Sequence, residues 1–348
     1  MRMDYKRTDG YYHLIDDLTA YPDAWCFVIW SSRGRGKTYS ALAYSYCNNI
    51  PIVYMKRTKA DVNLICSENN INFDASPYVP INRDYGTNIK AKKITDGIGG
   101  FYEEDGSLPI SYVLALSAGK SVKGFDLSKA EWIIFDEFIP QAGEITRKSE
   151  GDMTLDLYMT IRRDREQRGR PPLKLILFAN SEGISAPITN TLEIVDVMAE
   201  MNASGQEFYF DQERGIMLHH VRGEAQESQH GSIYAAMKDT AWGRKSFSGE
   251  FPDDLSCVKK VSLKGMHCRI QIRHKLHMWY VYQRDDGIYY MCGSKGKALR
   301  SYNLNRETES QKFYLEDGID LYNECIDGRM YFEKYSMYDL IMNYRKFY

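Results

Sequence analysis

No stretch of this chain approaches the eighteen or so unbroken apolar residues that a membrane-spanning helix needs. The charged start, Met1-Arg2-Met3-Asp4-Tyr5-Lys6, has no apolar h-region behind it, so a cytoplasmic protein is expected. The seven cysteines, Cys26, Cys47, Cys66, Cys257, Cys268, Cys292 and Cys325, are scattered and contain no C-x-x-C. They argue against a disulfide framework or a cysteine-rich zinc site and fit a reducing compartment. There is no internal repeat, no low-complexity tract and no N-K-x-D segment of the kind guanine-specific switches carry. Strong net charge is also missing, since the formal balance is −2.

That balance hides an asymmetry. Residues 257–348 carry sixteen Lys and Arg against eleven Asp and Glu, while the rest of the chain is acidic. A basic tail is the electrostatic footprint of a phosphate-backbone partner. At 348 residues the chain has room for two domains and a linker.

The segment Ser32-Arg33-Gly34-Arg35-Gly36-Lys37-Thr38 follows the apolar run Trp25–Trp30 and precedes the helix-like Tyr39–Tyr44. Strand, Gly-rich loop and helix in that order make a phosphate-cradling P-loop, with Ser31 standing where the usual pattern has its first glycine. Gly34 and Gly36 can turn successive N–H groups toward an anion, and the helix N-terminus favours negative charge. Lys37 is placed to reach the β- and γ-phosphates of ATP and Thr38 to hold Mg²⁺.

Ala130–Phe135 is an apolar strand running into Asp136 and Glu137, as a Walker B segment does. Asp136 is the expected metal-shell carboxylate and Glu137 the general base for the attacking water. A third apolar run, Leu173–Ala179, ends in Asn180, either a sensor of the γ-phosphate or a strand-end turn residue. Between these strands, Tyr158–Arg170 reads as a helix crowded with arginines. It is either a solvated face or the source of an arginine inserted into a neighbouring subunit's site, with Arg163 the first choice and Arg165 the second.

With SSRGRGKTYS, IVYMKRTKADV, WIIFDEFI, IRRDRE and LILFANSEG in this order, residues 25–183 resemble the genome-packaging ATPases of phi29-like bacteriophages, small relatives of large terminases. The resemblance implies an additional-strand P-loop ATPase domain (1–222), a helical linker (223–256) and a small α+β, RNase H-like C-terminal domain (257–348). It implies a homomeric ring, a pentamer, at the portal vertex of an empty capsid in the host cytoplasm, driving double-stranded DNA inward on ATP hydrolysis. Structural RNA, portal and capsid are further partners it suggests. By the same resemblance Lys56, Arg57 and Lys59 act on the neighbouring subunit's nucleotide, or form a solvated basic turn.

Glu207–Phe210 and Ile216–Val221 read as a closing hairpin at the sheet's edge, and residues 223–252 as a helical linker. Lys120 and Lys123, in a Gly/Lys loop, either grip DNA phosphates from a pore loop or are simply solvated. Beyond Ser256 the pattern is strand-like: His267–Arg273 alternates, with Arg269 and Arg273 on its polar face as nucleic-acid contacts. A hairpin is expected through Asp285-Asp286-Gly287, and a helix over 336–348. The tail's carboxylates, Asp285, Asp286, Asp317, Asp320 and Asp327, lie in turn-like or helical contexts, so a non-cleaving domain is expected. A cutting terminase and a nucleotide-dependent scaffold remain the rival readings.

Overall fold

A strand covered on both faces has no polar side to show, and the apolar runs of the sequence become the strands of one large sheet. In the computed structural model the described residues are 3–67, 75–119, 125–141, 143–144, 146–222, 233–243, 246–247 and 249–347. The strands are β1 Cys26–Ser31, β2 Ile52–Lys56, β3 Lys90–Thr95, β4 Ile98–Tyr102, β5 Ser111–Ala115, β6 Trp132–Asp136, β7 Lys174–Asn180, β8 Phe208–Asp211 and β9 Ile216–Val221. They pair in the order β3-β4-β5-β2-β6-β7-β1-β9-β8. The run from β5 to β9 is parallel, while β3, β4 and β8 extend its two ends antiparallel.

Strand β7 therefore stands between the loop-bearing β1 and the carboxylate-bearing β6, which is the additional-strand arrangement expected. Side by side, β1, β7 and β6 end at the same edge, so Ser31 pairs with Asn180 and Asp136 with Phe178. That register brings the three motifs together, and it places ligands where open α/β sheets take them, at the carboxyl ends of the strands.

The β8–β9 hairpin forms, but only β8 is an edge strand. β9 is buried along its length and pairs parallel with β1. At the far edge the lysines of β3, Lys90, Lys92 and Lys93, guard its open backbone groups. The helix expected over Tyr158–Arg170 lies earlier in the chain. A helix does run Glu150–Arg162, but it stops where Arg163 turns to φ 40°, and an irregular loop carries the remaining arginines.

The second sheet consists of β10 Met266–His274, β11 His277–Arg284, β12 Tyr289–Cys292, β13 Arg300–Asn303 and β14 Met330–Phe332, in the order β13-β10-β11-β12-β14. The hairpin through Asp285–Gly287 joins β11 to β12 as expected, and His274–His277 proves to be the turn between β10 and β11. Helices Tyr335–Met342 and Tyr344–Phe347 take the place of the expected terminal helix. Ile270, Ile272, Val281, Met291, Leu321 and Leu340 lie in this sheet's own buried core.

The chain divides into two compact units, 1–192 with 200–252, and 193–199 with 253–348. Of the expected linker, residues 223–232 lie outside the described residues, as do Lys120 and Lys123. Residues 233–237 are helical. The following chain returns to the first unit, where Phe251 stacks on Trp30 at 5.7 Å.

Candidate nucleotide site

Between β1 and the helix α1 (Lys37–Cys47) the backbone makes a tight loop in which Gly34 and Gly36 sit at φ 75° and 81°. Side chains with a Cβ resist that left-handed region, which is why glycine stands at both positions. A cavity of about 260 Å³ opens over the loop, walled by Gly34, Gly36, Lys37, Thr38, Asp136 and Asn180.

Lys37 is buried in the loop. Its Nζ donates to Ser31 Oγ at 2.5 Å, and to Ser32 O and Asn180 Oδ1 at 3.4 Å each. Burial pushes its ammonium down to about 8, against the opposing pull of Asp136. An anion in the cavity would reverse that shift by restoring a partner charge. The hydroxyl of Ser31, where a glycine is usual, thus serves as the resting partner of the lysine.

Thr38 Oγ1 donates to Asp136 Oδ2 at 3.0 Å, and the phenol of Tyr54 donates to the same oxygen at 2.7 Å. Hard oxygen donors of this kind suit Mg²⁺, which takes few protein ligands and keeps its waters. The donor set, next to a loop that can offer N–H groups to phosphate, fits a magnesium nucleotide.

Glu137 follows at φ 58°, an unusual conformation for a non-glycine residue, and its carboxylate is half exposed. Lys56 Nζ donates to Glu137 Oε2 at 3.0 Å and lies 3.9 Å from Asp136. A second cavity, about 270 Å³, lies against the same two carboxylates, with Tyr54, Lys56, Arg57 and Leu64 among its walls.

The other basic residues separate by what they touch. Arg57 is buried, with its guanidinium bonded to Glu150 and Glu144 at 2.8 Å and to the carbonyls of Glu137 and Phe138. These contacts brace the end of β6, and Arg57 is buried rather than part of a solvated turn. Arg165, the second choice for an inserted arginine, is only 2% exposed and donates to the carbonyls of Pro171 and Ala130, tying the arginine-rich loop to the approach of β6. Arg163 is exposed, with Nε on Thr160 O at 3.0 Å. Lys59 pairs with Asp96, Arg33 with Glu182, and Arg35 with the carbonyl of Arg222.

In the second unit Arg269 and Arg273 are exposed on β10. Asp317 is buried against Arg300 and Tyr302, and Asp286 closes a turn with Arg284. Among the described residues no group of three or more His, Cys, Asp or Glu is placed to hold a metal ion.

Sequence reasoning missed the role of Tyr54, visible in the strand only as another apolar residue, and the Arg57–Glu150 brace. It noted Ser31 as a departure without its consequence. The pairing of β2 with β6, with Tyr54 level with Ile134, is what carries that phenol to Asp136.

The fold, with this arrangement at the ends of its central strands, is that of an additional-strand P-loop α/β protein joined to a small α+β unit. Among solved structures, the Phi-28 gp11 DNA packaging motor aligns over 98% of this chain and 97% of that one, with a TM-score of 0.62 and 17% identity. The bacteriophage Phi-29 viral genome packaging motor assembly aligns over 98% of this chain and 100% of that one, with a TM-score of 0.65 and 16% identity. The chain thus shares the fold of these phage motors along nearly its whole length, in agreement with the resemblance read in the sequence. No protein-family model matches it, and no curated protein matches it either.

Proposed function

We propose that this chain is an ATPase that drives double-stranded viral DNA into a preformed capsid. The observation that carries the reading is the 3.0 Å contact between the P-loop hydroxyl of Thr38 and Asp136, with Glu137 next in the chain. It supports a site where phosphate, metal and attacking water meet. Thr38 and Asp136 would hold Mg²⁺, which when bound neutralises charge on the phosphates. Lys37 exchanges Ser31 for the β- and γ-phosphates, and its regained charge stabilises the transferred phosphoryl. Glu137 takes the proton of the attacking water, and Asn180 orients that water or the γ-phosphate.

The fold shared end to end with phage packaging motors supports a homomeric ring at the portal vertex in the host cytoplasm, a pentamer by resemblance. The second cavity behind Asp136 and Glu137 leaves room for a residue from an adjacent copy, with Arg163 the exposed candidate. The basic tail, through Arg269 and Arg273, contacts nucleic-acid phosphates without cutting, and Lys120 and Lys123 grip DNA. In sequence, the segment 223–256 connects the ATPase part to that tail. Portal, capsid and structural RNA complete the partners in this reading.

The test is protection of DNA from nuclease inside procapsids supplied with the protein. Protection that needs ATP and is lost in Lys37→Ala is expected. ATP turnover indifferent to DNA and procapsids would overturn the motor in favour of a scaffold.

A further inference from the structure

Residues 249–251 belong to the first compact unit, and there they lie against three neighbouring strands, β7, β1 and β9. Gly249 O accepts from Ser181 Oγ, just past the end of β7, and from His220 Nε2 of β9 at 2.8 Å. Between those strands β1 ends at Ser31, and a Cβ built on Gly249 would lie 2.5 Å from Ser32 N and 3.0 Å from Ser31 C. Gly249 therefore rests on the Ser31–Ser32 peptide itself. It does so at φ 76°, where a side chain is strained, so glycine is required twice over.

The surroundings hold this peptide in place. His220 Nδ1 accepts from Arg222 Nε at 3.3 Å, which leaves the proton on Nε2, and burial pushes the imidazole down to about 4, keeping it neutral. Its ring stacks on Trp30 at 5.0 Å, Phe251 stacks on the same Trp30 at 5.7 Å, and Phe251 N donates to Asn202 Oδ1 at 3.2 Å. Residues 249 and 251 are thus both tied to the sheet. What Gly249 touches belongs to the nucleotide cavity. Ser31 Oγ and Ser32 O are resting partners of the Lys37 ammonium, and Ser181 follows Asn180, whose Oδ1 is the third.

We infer that Gly249 is a positioning residue of the nucleotide site, its peptide setting the Ser31–Ser32 end of the phosphate loop against the Asn180 end of β7. In the proposed reaction those two ends carry the group that grips the phosphates and the group that orients water or the γ-phosphate. Small errors in such a separation cost rate steeply. A carbonyl that accepts from Ser181 while its own Cα presses on Ser32 fixes both ends at once. The segment that the sequence offers as a linker thus supplies a residue to the site. This inference rests on the nucleotide reading of the P-loop.

The experiment measures equilibrium Mg-ATP binding, steady-state ATP turnover and thermal unfolding of the full chain. Ser181→Ala removes one donor to Gly249 and is expected to lower kcat roughly ten-fold while leaving Mg-ATP affinity unchanged. Gly249→Ala drives a methyl into the Ser31–Ser32 peptide and is expected to weaken Mg-ATP and to lower kcat, each roughly ten-fold or more. The parent's kcat in folded Ser181→Ala overturns the inference. So does an equal loss of affinity and kcat in that variant, which a general loosening of the unit would produce. Folded Gly249→Ala that binds Mg-ATP as the parent does also overturns it, and where Gly249→Ala does not fold, Ser181→Ala decides alone. Lys37→Ala separates the two readings, because it should abolish Mg-ATP binding whatever Gly249 does. If it binds as the parent does, the P-loop reading falls and the role of Gly249 falls with it.

Discussion

Lys56 Nζ lies 3.0 Å from the Glu137 carboxylate, so the group proposed to take a proton from water is held by a cation of its own chain. In the proposed reaction that ion pair must loosen before Glu137 can accept a proton. Lys56 is also near Asp136, at 3.9 Å, so a charge change in the nucleotide cavity reaches it directly.

Lys56→Met is therefore expected to raise ATP turnover without DNA and to shrink the stimulation by DNA. Steady-state ATPase assays with and without duplex DNA check it. A fall in both rates would assign Lys56 to positioning Glu137 instead.

Glu137 holds a left-handed backbone that glycine takes without strain. Glu137→Gly is expected to stabilise the chain by about 1 kcal/mol while abolishing hydrolysis. Glu137→Gln should bind Mg-ATP and also fail to hydrolyse it. Thermal unfolding beside turnover tests both, and hydrolysis surviving in either variant would remove Glu137 from the base role.

The Lys37 ammonium, lowered to about 8 by burial, is mostly neutral in the empty site at pH 9. Phosphate favours the charged form, so nucleotide binding is expected to take up a proton there. Uptake should fade below pH 7, where the lysine is already charged. Calorimetry at pH 9 in buffers of different ionisation enthalpy measures this. Lys37→Met should abolish the uptake.

Arg163 and Arg165 are two residues apart and are expected to fail in different ways. Arg165→Ala leaves buried carbonyls unpaired and should cost about 2–3 kcal/mol of stability. Arg163→Ala should leave stability within about 0.5 kcal/mol, as surface changes do, yet lose turnover. Mixed with Lys37→Ala, it should recover activity if Arg163 acts on the adjacent copy's nucleotide. Verified mixed assemblies without recovery would count against that role.

Arg269→Ala with Arg273→Ala, in the full chain, should weaken duplex binding without changing its weak dependence on sequence. Two lost phosphate contacts should flatten the slope of log affinity against log salt by about 2. An unchanged slope would mean that the basic face of β10 meets something other than phosphate.

The phosphate loop, the carboxylate-tipped β6, the Asn180 strand and the α/β order were legible in the sequence because each answers a local demand. Glycines stand where φ is positive, apolar runs where strands are covered on both faces, and charged or polar residues where those strands end. Arginines carry no such local mark. Arg57, Arg163 and Arg165 look alike in the chain, and only packing decided that the first and third are buried braces while the second is exposed. The same holds for hydroxyls: Tyr54 reaches Asp136 because β2 lies beside β6, and Ser31 meets Lys37 because the loop folds back on itself. Sequence alone determined which chemistry is available. The tertiary structure decided which copies of a common side chain are buried and which are exposed, since burial and pairing depend on neighbours far away in the chain.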